Sequence, residues 1–224
     1  MNQRVLGILA ASVAITTALW VTLLIIQEAS APAVANLQQK IESLGNLNFL
    51  FYLTYVNATL ITIFTIALFA GFYEYCHPEN PLWAIIGLVF IPIYGIGNLV
   101  SYLSQIFVLP RLLDIYRIPE LKKSASLIIG ELIQNWSGTS IEALNGLSYA
   151  ILGISSIIFG TLMFRMQPKV KLASSLLSLS GILSIIAFIG MACRNPVLSM
   201  MFMLSGFIYL VSVILYGSFF LRTQ

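Results

Sequence analysis

Hydrophobic residues in this chain form long, unbroken runs rather than the short alternating pattern that is typical of strands. Six runs contain no Lys, Arg, Asp or Glu, and each is long enough to cross the hydrocarbon core of a bilayer, which takes about 20 residues of helix. The runs cover residues 5–26, 47–73, 82–109, 143–164, 172–193 and 197–221. This pattern predicts an all-α, polytopic bundle of six transmembrane helices.

The first run has a second interpretation as a secretory signal peptide. Arg4 supplies a basic residue before the run, and the sequence around Ser30, with an alanine on each side, resembles a cleavage site. However, the run from 5 to 26 is longer than the apolar region of about 7–15 residues that signal peptides carry. We therefore expect a membrane-spanning helix there.

Two connections between the runs are long enough to hold further structure. In the first, residues 37–44 are able to form a short helix at the surface. In the second, Pro110 is predicted to end the third span and to open a new helix, because proline cannot donate the next backbone hydrogen bond. Arg111, Asp114 and Arg117 then follow at intervals of three, which suits a solvated helix.

The connection 110–140 also predicts a short amphipathic helix after its second proline. Leu121, Ile128 and Leu132 share one face, and the segment is expected to end at Trp136, a residue type common at membrane interfaces. A helix lying on the membrane surface explains this pattern most simply. A re-entrant segment, or a lid over a cavity, is the alternative.

Composition agrees with a membrane environment and excludes other classes. The chain is 59% hydrophobic and 8% charged, whereas soluble domains are about 25% charged. A net charge of +3, spread along the chain, gives no reason to expect a nucleic-acid partner. We therefore expect residues 1–224 to form one integral membrane domain with membrane lipid as its partner. A multi-pass protein of a prokaryotic inner membrane is favoured, with an orientation that the nearly even spread of basic residues leaves open.

Polar residues recur at helical spacing inside four of the spans, so that those of one span fall on one helix face. Polar groups are costly in hydrocarbon unless they are satisfied, which predicts that these faces point inward. They would then line an internal cavity, and we expect them to bind a small-molecule ligand. Packing between helices is the alternative, especially for the serines and threonines. The candidate ligand-binding residues are Tyr55, Thr59, Tyr94, Asn98, Ser101, Gln105, Glu142, Asn145, Tyr149, Tyr209, Ser212 and Tyr216.

The sequence contains no recognisable catalytic, cofactor or metal motif, so we expect none of these. Glu74 and His77 form a single Glu-x-x-His pair, whereas di-iron bundles need two such pairs. Glu142 lies at the start of the fourth span, where a carboxylate suits the helix dipole. Six spans place Cys76 and Cys193 on opposite sides of the membrane, which predicts that they form no disulfide.

Three functions remain open at this point. The first is a small membrane protein whose internal polar cavity binds or transports a small neutral or amphipathic molecule. The second is a non-enzymatic membrane interaction or assembly protein that contacts a protein partner through residues 110–140. The third is a lipid-modifying enzyme that uses Glu142 or the pair formed by Glu74 and His77. An isolated acid makes a poor catalytic set, so the enzyme is the weakest of the three.

Overall fold

A computed structural model describes residues 3–30, 34–45 and 47–222. Through these residues the chain is all-helical, as the hydrophobic runs predict, and it has six helices that are long and apolar enough to span a membrane. The helices are α1 (Gln3–Ser30), α2 (Leu37–Ser43), α3 (Phe49–Cys76), α4 (Pro81–Leu103), α5 (Leu109–Tyr116), α6 (Lys122–Leu132), α7 (Ser140–Met166), α8 (Lys171–Ala192), α9 (Pro196–Ser199) and α10 (Met201–Arg222).

The third span differs from its prediction because Pro110 does not end it. A π-helical turn, Ser104–Val108, joins α4 to α5 without a break, so one helical stretch runs from Pro81 to Tyr116. The widened turn lets the backbone N–H of Leu109 bond to the carbonyl of Ser104, five residues back. Pro110 then occupies the first turn of α5, where a missing N–H costs little.

The amphipathic segment is helical, but it ends earlier than predicted. The helix α6 ends at Leu132 rather than at Trp136, because Ile133 takes an extended conformation. The residues that pack inward are Ala125, Ile129 and Ile133, spaced four apart, and each is almost fully buried. Leu121 and Ile128, which the sequence places on one apolar face, are exposed, so this face is not the one that packs on the protein.

The six long helices pack in a ring, in chain order, and α1 closes the ring against α10. Neighbouring helices run antiparallel, so α1, α4 and α8 begin on one face of the bundle, called here the first face, and α3, α7 and α10 begin on the second face. The helices α7 and α8 cross closely. There, a Cβ atom added to Gly181 would lie 2.4 Å from the carbonyl oxygen of Gly153, so only glycine permits this approach.

Towards the first face the interior of the ring is filled by aromatic rings. Phe69 lies 5.5 Å from Phe72 and 5.8 Å from Phe159, measured between ring centroids, and Tyr216 lies 5.0 Å from Phe72. Together with Phe220, these side chains are fully buried. Rings packed edge to face at these distances leave little free space. The end of the bundle at the first face is therefore closed by side chains.

The second face is covered by the two long connections, which pack on each other. Ile41 of α2, Leu109 and Leu113 of α5 and Ile129 of α6 form a separate hydrophobic cluster there. Its position is fixed by a hydrogen bond of 2.6 Å from the Gln105 side chain to the carbonyl of Leu132. The connections thus form a folded cap over one end of the bundle.

The two cysteines behave as the six-span topology predicts. Cys76 ends α3 on the first face and is buried, whereas Cys193 follows α8 on the second face and is exposed. Both are free thiols. A disulfide between them is excluded because the length of the bundle separates them.

Candidate functional site

Helix α4 carries three large polar side chains into the interior of the ring. Tyr94, Asn98 and Tyr102 follow each other at intervals of four residues, so they lie on successive turns along one side of the helix. All three are buried, with no more than 2% of each residue exposed. They lie nearer the second face than the aromatic residues described above.

Helix α7 supplies hydrogen-bond partners to this row. The amide nitrogen Nδ2 of Asn145 donates to Oδ1 of Asn98 over 3.0 Å, and the hydroxyls of Tyr102 and Tyr149 are 2.7 Å apart. The Tyr149 ring also packs against Tyr94, with 6.1 Å between ring centroids. Asn145 and Tyr149 stand four residues apart on α7, so two rows of matched spacing face each other.

Helices α3 and α10 close the opposite side. The hydroxyls of Thr65 and Tyr209 are 3.4 Å apart, which links α3 to α10 across the ring. Thr62 is fully buried one turn before Thr65, and its hydroxyl bonds to the carbonyl of Ala58 in its own helix. The polar core is the set of eight residues contributed by these four helices: Thr62, Thr65, Tyr94, Asn98, Tyr102, Asn145, Tyr149 and Tyr209.

Two atoms of the polar core have no hydrogen-bond partner among the described residues. They are the hydroxyl oxygen of Tyr94 and the amide nitrogen Nδ2 of Asn98, and both are buried. The hydroxyls of Thr62 and Thr65 lie near Tyr94, and the hydroxyl of Tyr149 lies near Asn98. None of these contacts meets hydrogen-bond geometry with the two unpartnered atoms. A buried polar group without a partner costs about 1–3 kcal/mol. The polar core therefore has two groups without hydrogen-bond partners on successive turns of one helix. A polar ligand bound there would supply those partners.

The chemistry of the polar core is neutral throughout. Its members are four tyrosines, two asparagines and two threonines, and the charge-free run 82–109 provides three of them. Hydroxyl and amide groups of this kind donate to and accept from uncharged polar groups. An ionic ligand would find no counter-charge within this set.

Several residues of the predicted site lie outside the polar core, on α3 and α4. The ring of Tyr55 is 6.4 Å from that of Tyr102 and borders the core, whereas the Thr59 hydroxyl bonds within α3. Ser101 bonds to the carbonyl of Gly97 in its own helix. Gln105, which is buried, binds the cap instead.

The remaining predicted residues make contacts between helices or at helix ends. The Ser212 hydroxyl donates to the carbonyl of Ala173, and the hydroxyl of Tyr216 lies 2.8 Å from that of Ser174, so both residues join α10 to α8. Glu142 accepts a hydrogen bond of 2.6 Å from the backbone N–H of Gly138. Together with the side chain of the N-cap residue at 139, this contact satisfies the start of α7.

Three members of the polar core, Thr62, Thr65 and Tyr102, were not among the predicted site residues. The prediction used a narrow stripe centred on Tyr94, and Tyr102 is rotated by about 80° from that residue around an ideal helix. A tyrosine is long enough to reach inward from that flank. The repeated spacing of four residues from Tyr94 through Asn98 to Tyr102 was the feature of the sequence that pointed to Tyr102.

The sequence pair formed by Glu74 and His77 is placed away from this core, on the first face. Glu74 is exposed, and the ring of His77 lies 4.9 Å from that of Tyr73. No group of three or more His, Cys, Asp or Glu side chains that could hold a metal occurs in the part of the chain that the structure describes.

Comparisons with models of known protein families, with curated proteins and with solved structures find no match to this chain.

Proposed function

We propose that the six long helices cross a membrane and that the polar core binds a small neutral or amphipathic molecule, which the protein holds or transports. The membrane placement is supported by the low charge content and by the many apolar side chains on the outside of the ring, such as Ile15, Ile96 and Phe207, which are about two-thirds exposed. In this placement α6 lies at the membrane surface. A prokaryotic inner membrane remains our expectation for its location.

The single observation that carries the proposal is the unpartnered pair formed by the Tyr94 hydroxyl and Asn98 Nδ2. The amide nitrogen is a donor only, and the hydroxyl is both a donor and an acceptor. A carbonyl or hydroxyl oxygen is able to accept from either group. The neighbouring rings of Tyr94 and Tyr149 favour an apolar or aromatic body attached to that oxygen. The proposed ligand therefore has a carbonyl or hydroxyl group on a largely apolar frame.

The same geometry gives the direction of access. The aromatic residues around Phe69 and Phe159 close the first-face half of the ring, whereas polar side chains continue from Asn98 and Asn145 towards the second face. A ligand would reach the polar core from the second face, past the cap. The hydrogen bond from Gln105 to the cap lies on this route. Gln105 belongs to the same helical stretch as Tyr94 and Asn98, the residues proposed to bind the ligand.

The test is a thermal-shift screen of the purified protein in detergent against membrane-soluble metabolites and lipids. A compound that uses the polar core should raise the melting temperature of the wild type and have little effect on Asn98→Leu, which removes the unpartnered donor together with the acceptor that Asn145 uses. The matched control is Thr59→Val, which alters a polar residue of the same bundle that bonds within its own helix. It should respond as the wild type does.

A different outcome would favour a different function. If every stabilising compound acted equally on the wild type and on Asn98→Leu, the polar core would not be the binding site. The non-enzymatic interaction protein would then be the better hypothesis, with the cap as its contact surface.

A further inference from the structure

A second concave site lies outside the ring, on the second face, between α2, α6 and the turn that leads into α7. Its volume is about 430 Å³. Polar and apolar side chains share the lining, among them Gln38, Leu127, Glu131, Trp136 and Thr139. Because it sits beside the start of α7, it falls at the level of the lipid headgroups in the membrane placement proposed above.

Glu131 gives this pocket a fixed negative charge. Its oxygen Oε2 accepts hydrogen bonds from the hydroxyl and the backbone N–H of Ser140, at 2.5 and 3.1 Å. These bonds lower the pKa of Glu131 below its usual value, so the group is a carboxylate at neutral pH. Both bonds end on Oε2, and no hydrogen bond to Oε1 occurs among the described residues. The second oxygen is therefore able to accept from a ligand.

Gln38 and Trp136 add groups that favour a cation. The amide nitrogen of Gln38 donates to Glu42 over 2.8 Å and to the hydroxyl of Tyr116, which leaves its carbonyl oxygen as the acceptor. Trp136 is half-buried in the lining, and the face of an indole ring attracts ammonium groups. The pocket thus has oxygen acceptors and an indole ring in one lining.

Basic side chains near this pocket are engaged elsewhere or lie outside it. Arg117 contacts Asp114 at 3.1 Å and the carbonyl of Gly45 at 2.7 Å. The ammonium of Lys122 lies 5.0 Å from the centroid of the Tyr116 ring. Neither is part of the lining. The charge of Glu131 is therefore not neutralised within the pocket.

The pocket continues into an apolar and then a basic surface along α6. Leu127, which is part of the lining, is 69% exposed. Lys123 and Glu131 lie four residues to either side of it, so the three side chains follow one face of α6 over about 12 Å. A carboxylate that binds a cation beside an exposed apolar side chain suits a cationic headgroup with attached acyl chains.

We propose that this pocket binds the headgroup of an ethanolamine phospholipid. Its primary ammonium donates to Glu131 and Gln38 beside the ring of Trp136. An ammonium with N–H groups fits oxygen acceptors, whereas the trimethylammonium of choline has no N–H to donate. The exposed Leu127 beside the pocket favours a lipid over a soluble amine.

The test measures lipid affinity for the full-length protein in mixed micelles, by the rise in melting temperature as phosphatidylethanolamine or phosphatidylcholine of identical chains is added. We expect phosphatidylethanolamine to bind about tenfold more tightly, as one charge-assisted hydrogen bond predicts. Glu131→Gln should abolish this preference. Glu120→Gln, which removes an exposed carboxylate from the turn before α6, should retain it.

Two further arms separate the explanations. Ser140→Ala removes the support of Glu131 without removing its charge, so this variant should keep the preference even if it melts earlier. Glycerophosphoethanolamine, which lacks acyl chains, should not reproduce the stabilisation. Equal affinity for both lipids, a preference that survives Glu131→Gln, or full stabilisation by the soluble headgroup would overturn the proposal.

This proposal rests on the membrane placement but not on the polar core. Asn98→Leu leaves every lining residue of the pocket unchanged, so it should retain the lipid preference. A lipid preference that survives Glu131→Gln would overturn the pocket alone. Core ligands that stabilise Asn98→Leu as much as the wild type would overturn the polar core alone.

Discussion

The side-chain amide of Asn145 donates a hydrogen bond of 3.0 Å to the side-chain oxygen of Asn98, and this bond joins α7 to α4 inside the ring. It uses the only acceptor of the Asn98 side chain and leaves the donor of that side chain without a partner. One residue therefore both holds two helices together and presents an unused donor to the interior.

This bond should have a measurable coupling energy. We expect Asn98→Leu, Asn145→Leu and the double variant to show a coupling of about 0.6 kcal/mol, and no more than about 1.7 kcal/mol, as hydrogen bonds between membrane helices do. The measurement is reversible unfolding in mixed micelles with increasing SDS. Additive single effects would show that the two amides do not interact.

Two tyrosines of α4 should respond in opposite ways to loss of the hydroxyl. Tyr94→Phe removes a buried hydroxyl without a partner, so in ligand-free protein we expect unchanged or higher stability, by up to about 1 kcal/mol. Tyr102→Phe leaves the Tyr149 hydroxyl unpaired, so we expect a loss of about 1 kcal/mol. The same unfolding experiment compares them. A loss in Tyr94→Phe as large as that in Tyr102→Phe would mean that the Tyr94 hydroxyl does have a partner.

The crossing of α7 and α8 should tolerate no side chain at Gly181. A Cβ atom there meets the backbone of Gly153 at 2.4 Å, and neither backbone is able to yield cheaply, so Gly181→Ala should cost about 1–3 kcal/mol. The matched control is Gly206→Ala on α10, where a Cβ atom meets open space. That change should raise stability by up to about 1 kcal/mol, since alanine is the better helix former. Equal effects would contradict the packing.

Stability should depend on acid through Glu131. Its pKa is lowered in the folded protein from the ordinary value of 4.5 because Ser140 donates two hydrogen bonds to the carboxylate. A lowered pKa stabilises the folded state above pH 4.5, and this contribution disappears as the pH falls through the folded-state value. The melting temperature of Glu131→Gln should therefore fall less than that of the wild type below pH 4.5. A parallel decline in the two proteins would argue against the Ser140 contact.

The sequence was sufficient for the number and location of the long helices because charge-free runs reflect a simple requirement for apolar length. It was insufficient at Pro110, because a proline breaks a helix only if the backbone fails to adjust, and here a π-helical turn makes the adjustment. The sequence also did not indicate which face of α6 packs on the protein. Ala125 and Ile129 are buried because α2 and α5 pack against them. These are tertiary contacts, and no local pattern in the sequence predicts them.

The prediction of the polar core from the sequence was limited in the same way, because tertiary contacts decide which polar side chains reach the interior. Spacing alone brought Tyr94, Asn98, Asn145, Tyr149 and Tyr209 together, because polar side chains in apolar helices turn inward. Spacing does not distinguish an inward side chain that meets the centre from one that meets the neighbouring helix. Ser212 and Tyr216 continue the stripe of Tyr209, yet they bond to α8, since the crossing of α8 and α10 covers that part of the face.

The most direct test of the polar core compares two cysteine substitutions in a background of Cys76→Ala and Cys193→Ser. Asn98→Cys and Phe159→Cys both replace fully buried residues, one in the polar core and one among the aromatic rings. The measurement is the rate of reaction with a water-soluble, membrane-impermeant thiol reagent applied from the second face. We expect Asn98→Cys to react many times faster than Phe159→Cys. Equal rates, or no reaction at Asn98→Cys, would contradict a polar interior that admits a ligand.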